Sequence, residues 1–182
     1  MKQTILIGLG ILAVSASAFA QTNEQSIERA LAAAPANMKE AATVIKFKPD
    51  FTYETIKKGT NKLMCFDRSG EPGRAVFAVQ CTALANIDRV VQNRKFEAMT
   101  DKDARQKAID AAEAAGTRVK PEFGSVWMDM NGADMEHARI HRTIAVPGAT
   151  TQSMGLPDKP TAGGVWIMGA GTSTAHLMTP GT

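Results

Sequence analysis

An apolar run from Ile5 to Val14, preceded by Lys2 and followed by Ser15, Ala16, Ser17 and Ala18-Phe19-Ala20, governs how the rest of this chain is read. A charged start, a short hydrophobic stretch and an A-x-A site together predict a secretory signal peptide cleaved after Ala20. The run is about ten residues, roughly half of what a bilayer-spanning helix needs. No cysteine lies near the cut to carry a lipid. The sequence therefore predicts residues 1–20 as a signal and 21–182 as one domain, periplasmic or secreted, with no membrane span after cleavage. A domain of that size buries about two-thirds of its unfolded surface, so it needs neither a metal nor dense cross-links to fold.

An oxidising compartment changes what the two cysteines mean. Cys65 and Cys81 form an even pair, which reads as one disulfide. The loop it closes is about 17 residues, worth roughly 3 kcal/mol in the chain-entropy account. Two buried thiols or a redox pair are the alternatives, but the spacing is nothing like C-x-x-C, which argues against thiol exchange. Charge is uninformative by comparison. The net value of +3 falls by one when Lys2 is removed, and the remainder lacks the clustered basic face of a nucleic-acid binder. A mild lysine excess between Lys39 and Lys62 reads as a solvated face.

Patterning predicts an α+β fold, with N-terminal helices packed on an antiparallel sheet built mainly from C-terminal hairpins. Thr22-x-x-Gln25 is a capping box ahead of Ile27, Ala30, Leu31 and Ala34, and Pro35 breaks the helix. A strand is expected over 43–47. Residues 52–58 and 62–67 form a predicted hairpin turned by Gly59-Thr60-Asn61. Helices are expected from Thr82 to about Asn93, and from a Thr100-x-x-Asp103 cap to Gly116. The second carries a face of alanines suited to close approach to a sheet. Residues 125–130 and 140–146 alternate as strands, with Asp129-Met130-Asn131-Gly132 read as a turn. The long segment 147–164 is functional or mobile by its length, and a last hairpin joins 165–168 to 174–178.

The segment from Trp127 to His141 holds most of the chemistry. Met128, Met130, Met135, His137 and His141 are soft ligands of the kind that suit copper. Met128 and Met130 share a side if the segment is a strand, whereas His137 and His141 share one only if it is helical. Filling of irregular core gaps is the plainer role for the methionines. Asp129, Asn131, Asp134 and Glu136 do not follow the spacing of a calcium loop. There is no G-x-S-x-G and no H-E-x-x-H, so a hydrolase or lyase would have to rely on His176 or His141 as base. Trp127 and Trp166 are core residues by pattern, or with His176 the walls of a pocket.

Taken together, Ala30-Leu31-Ala32-Ala33-Ala34-Pro35, Gly59-Thr60-Asn61 before Cys65, Cys81 at the opening of a helix, Gly163-Gly164-Val165-Trp166-Ile167-Met168, Gly171-Thr172 and Ala175-His176-Leu177-Met178 resemble a set of uncharacterised secreted bacterial proteins. The likeness is scattered over most of residues 21–182 in short motifs. It implies pairing of Cys65 with Cys81 and singles out His176, but carries no established activity. The reading of the chain is a non-catalytic domain of the cell envelope that binds a small ligand or another envelope protein, with no cofactor assigned. Copper binding and a histidine-based hydrolase or lyase are the alternatives.

Overall fold

The structure is a computed structural model and describes residues 22–180; the signal peptide expected over 1–20 lies outside the described residues. Helix α1 (Asn23–Ala30) begins with the capping box read from the sequence. Thr22 Oγ1 accepts from Gln25 N at 3.3 Å, and Gln25 Oε1 accepts from Thr22 N at 3.1 Å. A 3₁₀ turn at Leu31–Ala33 follows, and Ala34 is extended ahead of Pro35, as the pre-proline clash requires.

Strands β1 (Thr43–Phe47), β2 (Tyr53–Lys57), β3 (Leu63–Asp67), β4 (Phe77–Ala83), β5 (Val126–Gly132), β6 (Arg139–Ala145), β7 (Trp166–Met168) and β8 (His176–Met178) form one sheet in the order β2-β1-β3-β4-β5-β6-β8-β7. The fold is α+β, but the sheet is mixed and four of its strands precede residue 84. This corrects the expectation of an antiparallel sheet drawn mainly from the C-terminal half. The segments β2 and β3 exist as read, yet they are not a hairpin. β1 lies between them, antiparallel to β2 and parallel to β3.

Gly59 explains that topology. A Cβ there would stand 2.3 Å from Ala41 O and 2.4 Å from Thr43 N, so the Gly59-Thr60-Asn61 backbone lies directly on the start of β1. Thr60 N and Asn61 N both donate to Ala41 O, at 2.8 and 3.0 Å. The glycine makes a crossover, not a tight turn. Gly132 corrects a second expectation. β5 runs through Asp129-Met130-Asn131-Gly132 without turning, and the connection to β6 occupies 133–138. A Cβ at Gly132 would meet Ala138 Cα at 2.5 Å.

Alternation along the strands separates two apolar faces. Leu63, Cys65, Phe77, Val79, Cys81 and Met128 form one cluster with Ala33, Ala34 and Ala42. Ile45, Met64 and Phe66 form another with Val90 of helix α2 (Ile87–Glu97). A third cluster joins Val146, Ala149, Ile167 and Ala175, with Met154 and Leu156 packed against it. Met154 ends the four-residue helix α4 (Thr151–Met154), which occupies the segment read as loop.

Cys65 and Cys81 face each other in the β3–β4 register, with Cα atoms 4.1 Å apart, and their sulfurs are bonded. Both are fully buried. Cys81 is thus in the middle of a strand and does not open a helix. A 3₁₀ turn at Leu84–Asn86 intervenes before α2. Helix α3 (Lys102–Ala114) is capped by Asp101, whose carboxylate accepts from Asp103 N and Ala104 N; Thr100 is not the cap. α3 lies against α2 and has no fully buried residue, so its alanine face serves helix–helix contact instead of the close sheet approach expected.

Candidate functional site

The five soft-ligand candidates are not brought together. Met128 is buried in the first cluster and Met130 packs against it from the same face of β5. His141 is the cross-strand partner of Asp129. Directly opposed residues share a face, and neighbours along a strand do not. His141 therefore projects from the sheet face opposite the two thioethers. Met135 and His137 are exposed in the 133–138 connection, where His137 Nδ1 lies 2.7 Å from Asp134 Oδ1. Among the described residues, no three His, Cys, Asp or Glu side chains are grouped to hold a metal.

A different set converges on the α2 face of the sheet. Arg89 and Asn93 are four residues apart on α2 and so share one helix face. Opposite them, the register pairs Trp127 with Thr143 and Ala145 with His176. Pro121, Thr174 and Ala175 complete a cleft of about 170 Å³. Of the pocket residues expected from sequence, Trp127 and His176 therefore meet. Trp166 does not line the cleft; it sits on β7 opposite Met178.

Buried polar contacts hold these walls in place. Asn86, fully enclosed below α2, donates to Thr82 Oγ1 and Ser125 Oγ at 2.8 and 2.9 Å, and its Oδ1 accepts from Glu122 N. That ties the start of α2 to the segment carrying Pro121. Gln92, six residues on, does the same, donating to Thr117 O and accepting from Val119 N, both at 2.9 Å. From α3, the Glu113 carboxylate accepts from Ser173 N and Ser173 Oγ. It thereby anchors the turn that delivers Thr174, Ala175 and His176.

The electrostatics centre on Arg89, which is only 3% exposed. Its Nη1 donates to Val119 O and Ser173 Oγ. Nε and Nη2 have no protein partner among the described residues, and neither is fully buried. Among the described residues, no carboxylate lies within ion-pair distance of Arg89. Burial and the nearby Arg118 charge pull the guanidinium down to about 10, with Glu113 opposing them, and it stays protonated at neutral pH. Arg118 is also buried, donates to Gln92 Oε1 and Asn93 Oδ1, and stacks 5.0 Å over Phe96. Burial lowers its pKa too. Glu113, whose oxygens are engaged by Ser173, acts on both cations, and Glu97 acts on Arg118 as well.

His176 supplies the complementary chemistry. Its Nδ1 lies 2.7 Å from Thr174 O. A carbonyl can only accept, so Nδ1 carries the hydrogen and Nε2 is left as an acceptor or base. Sequence reading found Trp127 and His176 but missed Arg89, Asn93 and Pro121. Arg89 sits between Asp88 and Val90 with no local mark of burial, and only the packing of α2 encloses it. No known protein family, curated protein or solved structure matches the chain.

Proposed function

We propose that this is an exported binding domain whose cleft at Arg89 takes a small anionic ligand. The observation that carries this reading is a buried guanidinium with unspent N–H groups on a cleft wall and no carboxylate to pair with. Removing a charge from water without a partner costs several kcal/mol, and a ligand anion at Arg89 would offset that cost. The orienting contact from Arg118 to Asn93 Oδ1 supports the same reading, because it leaves the Asn93 amide hydrogens free to donate. Export rests on the residues before Gln21, and the intact mass of protein recovered from the periplasm or medium should begin there. A mass including residues 1–20 would remove it.

Thermal melts with acetate, benzoate and inorganic phosphate test the anion reading. Binding at a hundredfold excess over Kd raises stability by about 2.7 kcal/mol. Asn93→Ala should reduce that gain several-fold without abolishing folding. Melting temperatures indifferent to every anion would sink the proposal. A second reading, a hydrolase or lyase, is favoured by one feature, a cleft-lining His176 whose Nδ1 is engaged by Thr174 O and whose Nε2 is left as the base. Activity toward small esters that disappears in His176→Gln would support it, and its absence over a broad panel would count against it.

A further inference from the structure

We infer, building on the anion-binding reading above, that the ligand of the Arg89 cleft is a small planar carboxylic acid bearing a hydroxyl group, its carboxylate at Arg89 and Asn93 and its hydroxyl at His176 Nε2. The donors are the first reason. Arg89 has Nε and Nη2 free, a fork whose spacing matches the two oxygens of a carboxylate. Asn93 adds amide hydrogens one turn further along the same helix face. The local charge fits a monoanion, since Glu113 opposes both Arg89 and Arg118 and Glu97 also opposes Arg118. A dianionic phosphate would bring a second negative charge toward those carboxylates.

The walls set the body of the ligand. Trp127 presents an indole beside Pro121, Ala145 and Ala175, surfaces against which a flat ring is buried at little cost. Trp127 also packs against the cluster of Ile45, Met64, Phe66 and Val90, which restrains the ring. A cavity of about 150 Å³ holds benzene, and this cleft of about 170 Å³ has room for one substituted ring. The last reason is His176. With Nδ1–H committed to Thr174 O, the ring offers the cleft an acceptor and no donor. A second carboxylate would repel that lone pair, whereas a hydroxyl donates to it.

Calorimetric titration of the purified protein at pH 7 with 4-hydroxybenzoate, benzoate, benzyl alcohol and inorganic phosphate tests this directly. The inference expects 4-hydroxybenzoate to bind about 5- to 10-fold tighter than benzoate, the effect of one hydrogen bond. It also expects no measurable binding of benzyl alcohol, and loss of the 5- to 10-fold preference in His176→Ala. Equal affinity for the two benzoates in the wild-type protein overturns the hydroxyl assignment, with no variant needed, and leaves the anion reading standing. Phosphate binding in the absence of either benzoate overturns the carboxylate class. Binding of none of the anions overturns both readings.

Discussion

Asp129 carries a carboxyl on the interior of a sheet, on the same face as His141 and accepting from Gln80 Nε2. Burial drives its pKa upward, and the Arg68 and Arg74 charges, the Gln80 hydrogen bond and His141 do not cancel that effect. A carboxyl whose folded pKa exceeds its unfolded value binds its proton more tightly in the native state. Stability from this group is therefore complete below the unfolded value and declines as pH rises through the folded one. Asp129→Asn keeps the acceptor for Gln80 and removes the ionisation. The variant should melt higher than wild type at pH 7, with the difference vanishing near pH 3. A lower melting temperature at pH 7 would mean that the ionised carboxylate is useful where it stands. Glu97 behaves in the opposite sense: burial raises it, but Arg68 and Arg74 outweigh burial and hold it below its ordinary value.

Between elements, the disulfide and the polar ties do different jobs. The Cys65–Cys81 bond joins β3 to β4 at a directly opposed pair beneath α1, whose Ala30 carbonyl lies 3.8 Å from Cys81 Sγ. Replacing both cysteines with alanine should cost roughly 3 kcal/mol, seen as a lower denaturant midpoint, with a steeper slope because the uncrosslinked unfolded chain exposes more surface. A cost near zero would show that the sheet ladder alone confines that loop. Several elements were legible because their signals are local. The Thr22 capping box, the bounds of β1 and the stop of α3 at Gly116, with φ of +67°, all depend on neighbours within a few residues. The Gly59-Thr60-Asn61 segment was misread for the opposite reason. A glycine needed for contact with Ala41 and Thr43, sixteen or more positions away, looks the same in sequence as one needed for a turn.

At the scale of the molecule, the sheet decides which chemistry can meet. Met128 and Met130 face the cluster under α1, while His141 faces α2, so the copper reading would need ligands from both sides of one sheet. Addition of Cu(I) is accordingly expected to leave the melting temperature unchanged. A rise that is lost in Met128→Leu would reverse that conclusion, because tight binding to the native state must stabilise it. By itself the sequence determined the α+β class, most element positions and the pairing of its only two cysteines, all of which follow from short-range periodicity, caps and composition. Only the tertiary structure decided the strand order, the insertion of β1 between β2 and β3, and the meeting of Arg89 with Trp127 and His176. Those residues are 38 and 87 positions from Arg89, and pairing register and helix packing, not local preference, determine which side chains share a face at such separations.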